Sequence, residues 1–164
     1  MKRQGKNTKG TRPGGRSARG SRSSGTQSVR DVMTPDPSAL EPSASVWDAA
    51  ALMRAGGIGG VVVVEEDRLC GIVTDRDIVV RVLADGGDPA AVTVGEICSR
   101  DLATISPEAT VDDAVQVLRE RAVRRLPVLD EDGAVVGIVT IGDLAVARDR
   151  TSALADVSAA PPNA

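Results

Sequence analysis

Two short motifs in this chain place a hydroxyl three residues before a carboxylate: Thr74-x-x-Asp77 and Thr140-x-x-Asp143. Each follows a glycine and two aliphatic residues, Gly71-Ile72-Val73 and Gly137-Ile138-Val139. The pattern predicts a buried strand that turns into a helix at the threonine. One use of such a pair is structural, because an N-cap threonine with an acid three residues on is close to a capping box. Another is chemical. The free N–H groups and positive dipole end of a helix N-terminus suit a phosphate. The hydroxyl can bond to phosphate or ribose, and the carboxylate can accept both hydrogen bonds of a ribose diol. The residues alone leave both uses open.

Other residue sets offer less. Asp75-Arg76-Asp77 flanks a cation with two acids and has no further ligand cluster around it, so no metal is expected. The chain has no histidine, which removes the commonest general base and zinc ligand. No nucleophile–base set can be assembled, and catalysis is not expected. Cys70 and Cys98 stand at apolar-patterned positions and are expected to be buried free thiols. Gly56-Gly57-Ile58-Gly59-Gly60 is as glycine-rich as a phosphate loop. It follows a helix and precedes a strand, the reverse of a dinucleotide fingerprint. A helix C-cap and tight turn are expected there instead.

The elements that must position these residues occur twice. Pro42, Ala44, Val46 and Asp48 return at Pro107, Ala109, Val111 and Asp113, and Gly71 to Thr74 returns at Gly137 to Thr140. Each repeat opens on a lead-in of turn-like spacing, Val29 to Thr34 and Val94 to Ser99, then a short extended stretch near Ser38 to Glu41 and Leu102 to Ile105. A helix follows, capped by Ser45 or Thr110, with Val46, Ala49, Ala50, Met53 or Val111, Ala114, Val115, Leu118 on one face. Faces such as Ala49–Ala51 and Val111/Val115 are expected to be mostly core, with a share left for an interface. Two strands then form a hairpin over a polar turn, and a second helix begins at Asp75 or Ile141. The order per repeat is β-α-β-β-α. The expected organisation is a tail 1–28, repeat one 29–84, a linker 85–93, repeat two 94–148 and a flexible C-terminal tail 149–164.

Charge is divided unevenly. Residues 1–28 hold three Lys, five Arg and no acid, while the remainder carries −11, for a net charge of −3. The basic tail is too polar to bury a core and is expected to be disordered. It offers weak, backbone-directed contacts to nucleic acid or another polyanion, without aromatic residues for base stacking. Equally, it can aid solubility or contact its own acidic body. No run of residues is long and apolar enough for a membrane span, and no secretory signal pattern is present. A cytoplasmic location is expected.

The repeat order, the lead-in Val32-Met33-Thr34-Pro35, the strand Arg125-Leu126-Pro127-Val128 and both Gly-x-x-Thr-x-x-Asp endings resemble a tandem pair of cystathionine-β-synthase (CBS) domains over about residues 29–148. The resemblance implies an α+β fold with two CBS repeats forming one pseudo-two-fold Bateman module. It implies two clefts between the repeats, with no obligatory cofactor. Such clefts often take AMP, ATP, S-adenosylmethionine or another adenosyl ligand. It also implies a homodimer and regulation of a protein partner in trans.

Residue by residue, the resemblance makes Asp77 and Asp143 the ribose-binding acids and Thr74 and Thr140 the preceding hydroxyls. Thr104 and Ile105 are expected to wall the Asp77 cleft, and Ala39 and Leu40 the Asp143 cleft. Arg124 and Arg125 match phosphate-contacting positions; read alone, they are also a plain solvated charge pair. Repeat one has Gly59-Gly60 in their place, and Val62 where repeat two has Pro127. The two clefts are therefore unequal. Because Arg124, Arg125 and Asp143 share a repeat, the phosphate cleft is expected at Asp143, with Arg76 as partial compensation at Asp77. A ligand-free dimer acting as a scaffold is the alternative function.

Overall fold

The computed structural model describes residues 27–160. The basic tail therefore lies outside the described residues, apart from its last two. After a 3-10 turn at Val29–Asp31 come β1 (Thr34–Pro35), β2 (Ala39–Leu40), α1 (Val46–Gly56), β3 (Gly60–Glu65), β4 (Arg68–Thr74) and α2 (Asp75–Ile78). The chain continues from α2 as a π-helical stretch, Val79–Leu83. The second repeat contributes α3 (Val94–Ile97), α4 (Val111–Arg121), β5 (Arg125–Leu129), β6 (Val135–Thr140) and α5 (Ile141–Arg148), followed by α6 (Ala153–Ala159).

Two three-stranded sheets result, ordered β2-β3-β4 and β1-β6-β5. The first has β2 parallel to β3 and β3 antiparallel to β4. In the second, β5 and β6 form the hairpin, and Ile105 supplies a single parallel bridge to Val128 where β2 stands in the first. Val, Ile and Leu fill both cores, as a chain without Phe or Tyr requires.

The two sheets are not the two sequence repeats. Val29 is fully buried in the second core, among Leu118, Leu126 and Val139. Its N–H donates to Ala109 O at 2.8 Å, and Thr34 pairs with Ile138 of β6. The second lead-in does the reverse. Val94, Ile97 and Cys98 lie in the first core with Val46 and Val73. Val94 N donates to Ala44 O at 2.9 Å, and Ser99 and Ile72 exchange hydrogen bonds of 2.9 and 3.1 Å. Each repeat thus lends its lead-in to the other.

The glycine of each Gly-x-x-Thr motif has its reason here. A Cβ on Gly71 would stand 2.6 Å from Cys98 Sγ, and one on Gly137 would stand 2.5 Å from Met33 Sδ. The exchanged segments cross the returning strands at these two points, and only a residue without a side chain leaves room.

Capping boxes start the helices. Ser45 Oγ accepts from Asp48 N at 3.1 Å, and Thr110 Oγ1 accepts from Asp113 N at 3.1 Å. Bonds from the Thr110 hydroxyl and backbone hold the Asp113 carboxyl below its ordinary range. The Thr93 backbone and hydroxyl do the same for Glu96. The glycine run does form the expected C-cap: Gly57 is left-handed at φ 60, and Ala122 adopts the matching conformation at φ 52. Both cysteines are free; Cys98 is buried and Cys70 half-buried.

The C-terminal segment departs from the expected flexible tail. Residues Ala153–Ala159 form α6, started by Ser152, whose Oγ accepts from Ala155 N at 3.1 Å. Ala155 is 2% exposed, so the helix docks through a small apolar contact that its alanine-rich sequence did not advertise.

Gly71→Ala should destabilise the protein by about 2 kcal/mol, the usual cost of overpacking a tight contact. Urea unfolding of the variant measures it directly. A change near zero would mean that the crossing of β4 and the second lead-in is loose.

Candidate functional site

A cleft of about 550 Å³ opens where β4 turns into α2. Repeat one supplies Thr74, Asp75, Arg76 and Asp77, and the second lead-in and the residues just after it supply Ser99, Asp101, Leu102 and Ala103. The start of β5 and the turn before it close the cleft with Ala122, Val123, Arg124 and Arg125. The wall exists because Ser99 is hydrogen-bonded to Ile72 beside Thr74.

Thr74 and Asp77 are tied together. Thr74 N and Oγ1 donate to Asp77 Oδ2 at 2.9 and 2.6 Å, and Asp77 N donates to Thr74 Oγ1 at 3.2 Å. Thr140 and Asp143 repeat the pattern at 2.8, 2.7 and 3.4 Å. The capping use of the motif is therefore realised at both positions. It occupies one carboxylate oxygen and leaves the other.

At Asp77 that second oxygen faces Arg81, whose Nη2 lies 3.4 Å from Oδ1. Arg81 also donates from Nη1 to Ile97 O and from Nη2 to Ser99 Oγ at 3.2 Å. One guanidinium thus fixes the acid and the opposite wall of the cleft together. Sequence reasoning missed Arg81, although its position four residues after an acid is the spacing of a helical ion pair. The corresponding residue in repeat two is Ala147.

Arg124 and Arg125 line the Asp77 cleft and not the Asp143 site, which corrects the expected pairing. Although β5 and Asp143 belong to one repeat, the Arg125 side chain points across the seam between the two halves. Its Nη1 donates to Gly59 O at 2.9 Å. A Cβ on Gly60 would collide with that guanidinium. The arginine crosses because the matching residue is a glycine.

The expected walls also shift. The Asp77 cleft is bounded by Asp101–Ala103, the residues immediately before Thr104 and Ile105. Thr104 is exposed, and Ile105 is buried against Val128. Ala39 borders a different hollow with Asp36, Val62 and Ala134, and Leu40 packs on the first core. Neither reaches Asp143, which sits in a hollow lined by Val32, Arg150, Ser158 and Ala159. Helix α6 occupies that side.

The charge of the Asp77 cleft is uneven. Asp77 is paired with Arg81, and Asp101 with Arg121 at 2.9 Å. Among the described residues, Arg76, Arg124 and Arg125 have no carboxylate at ion-pair distance. Asp75 is the remaining acid, and its Oδ1 accepts from Arg76 N at 2.7 Å. The cleft carries a surplus of guanidinium charge with donors that suit phosphate oxygens. No group of three or more potential metal ligands occurs among the described residues.

The family model for the CBS domain matches twice, over residues 29–84 and 94–150. The chain belongs to the CBS domain family. Among curated relatives, the CBS domain-containing protein YhcV of Bacillus subtilis is 40% identical over 119 residues, which is 73% of this chain and 84% of YhcV. Hypoxic response protein 1 of Mycobacterium tuberculosis is 36% identical over 118 residues, 71% of this chain and 82% of the relative. Among solved structures, CBSX2 in complex with AMP superposes with a TM-score of 0.64 at 30% identity, covering 74% of this chain and 95% of that one. The CBS domain pair of MJ0100, in complex with 5′-methylthioadenosine and S-adenosyl-L-methionine, gives 0.66 at 28% identity, covering 73% and 94%. The α+β fold with two CBS repeats is that of these neighbours.

Thr74→Ala removes the cap of α2 and should cost about 1 kcal/mol of stability. Thermal or urea unfolding reads this, and a neutral variant would show that the motif is not needed to hold the helix.

Proposed function

We propose that this chain is a regulatory, non-catalytic CBS module that binds an adenosine nucleotide of the AMP or ATP type in the Asp77 cleft. The observation that carries this reading is the convergence of Arg76, Arg124 and Arg125, none of them ion-paired among the described residues, on the cleft that holds Thr74 and Asp77. In this reading Asp77 Oδ1, which faces Arg81, accepts from the ribose as well, and Arg124 and Arg125 take the phosphates. The apolar wall at Leu102, Ala103 and Val123 receives the base. The AMP bound to CBSX2 and the 5′-methylthioadenosine and S-adenosyl-L-methionine bound to MJ0100 support an adenosyl ligand. The surplus positive charge favours a phosphate over the cationic sulfonium of S-adenosylmethionine.

Such a module acts by population shift, since a ligand that prefers one of two shapes changes their ratio. The shape read out is that of a homodimer or of a complex with a protein partner in trans. A homodimer is supported by apolar side chains left exposed on the helical side of the first half, Trp47, Val79, Val80 and Leu83. We place the module in the cytoplasm; among the described residues no helix is long and apolar enough to cross a membrane.

Calorimetric titration of the full chain with AMP, ATP and S-adenosylmethionine tests the reading. AMP or ATP should bind more tightly than S-adenosylmethionine. Asp77→Ala and Arg124→Ala should each weaken nucleotide binding about ten-fold, in line with the loss of a charge-assisted hydrogen bond. Asp143→Ala should leave it within about two-fold, well below one such bond. No heat with any ligand on folded protein would favour the ligand-free scaffold instead.

A further inference from the structure

Arg125 stands where the charged cleft meets the seam between the halves. It belongs to β5 of the second half, lines the Asp77 cleft, and spends a guanidinium N–H on Gly59 O of the first half. Its seat is made by Gly60, where a Cβ would collide with the guanidinium. The repeat symmetry places glycines at 59 and 60 opposite Arg124 and Arg125. No second arginine can make the reciprocal contact.

We infer that Arg125 is a ligand-released latch between the two halves. This rests on the nucleotide reading of the same cleft. With the cleft empty, the guanidinium is bonded to a neutral backbone carbonyl. A phosphate offers a full negative charge, which adds a Coulombic attraction to the guanidinium that a neutral carbonyl lacks. Arg125 lines the cleft and Gly59 does not, so in this proposal a phosphate bound in the cleft draws the guanidinium off Gly59 O. Binding is then coupled to the seam, because the ligand gains a contact only as a bond between the halves is given up. By linkage, weakening the latch must strengthen the ligand.

That reciprocity gives variants opposite signs. Gly60→Ala evicts the guanidinium from its seat without removing its charge. The colliding atom is the end of a flexible side chain, and the nearest backbone atom to the new Cβ, Val73 O, lies 3.3 Å away. In calorimetric titration of the full chain with ATP, Gly60→Ala should bind about ten-fold more tightly, the size of a partly exposed bond to a charged group. Arg125→Ala should bind about ten-fold more weakly, having lost the phosphate contact. Wild-type binding with Gly60→Ala equal or weaker overturns the latch and leaves the nucleotide reading standing. Absence of ATP binding by folded wild-type protein overturns both.

A second measurement does not depend on Gly60→Ala folding. Guanidinium NMR signals of the wild-type chain, with Arg125→Lys identifying the resonance, should move on saturation with ATP. An Arg125 signal unchanged at saturation shows a static anchor and overturns the proposal.

Discussion

Each core of this protein is closed by a segment that belongs, in sequence, to the other repeat. Val29 completes the second core, and Val94, Ile97 and Cys98 complete the first. Neither repeat is therefore a self-sufficient folding unit. The exchange also makes the cleft. Ser99 is bound to β4 because the second lead-in is bound there, and the next few residues run past Thr74 as its facing wall. The glycines Gly71 and Gly137 are the steric condition for it. They belong to the motif that marks the site, but their room is taken by Cys98 and Met33 of the opposite repeat.

Onto this two-fold frame the sequence places an asymmetric charge. The pseudo-equivalent positions at the seam hold two glycines on one side and two arginines on the other. The glycines let one arginine cross, so both guanidinium groups serve the cleft whose acid lies in the other repeat. The Asp143 side lacks an arginine like Arg81 or Arg76, having Ala147 and Gly142 in their places, and α6 packs across it. Among the described residues, the pseudo-symmetric fold thus sets three arginines at the Asp77 cleft and a single one, Arg150, at the Asp143 hollow.

Much of this was legible in the residues. The doubled Thr-x-x-Asp pattern, the capping residues and the β-branched strands located nearly every element. What escaped was contact between parts distant in sequence. Arg125 was assigned to the cleft of its own repeat because proximity in the chain stands in for proximity in space when no seam is known. The missing side chain at Gly60 was the signal, and it gains meaning only once Arg125 is seen to lie on it. The family resemblance puts Thr104 and Ile105 on the cleft wall, whereas the bridge from Ile105 to Val128 turns Ile105 into the core and leaves Thr104 exposed. Helix α6 was missed because a seven-residue, alanine-rich segment has little intrinsic stability apart from its docking contact.

The proposed nucleotide site lies across the seam, between the acid of one repeat and the arginines of the other. Titration of the isotopically labelled full chain with ATP, followed residue by residue in ¹H–¹⁵N spectra, tests it most directly. The account predicts the largest shifts at Thr74–Asp77, Ser99–Ala103 and Val123–Arg125 together. Shifts concentrated instead at Thr140–Asp143, Arg150 and Ser158 would place the ligand in the other hollow and contradict it.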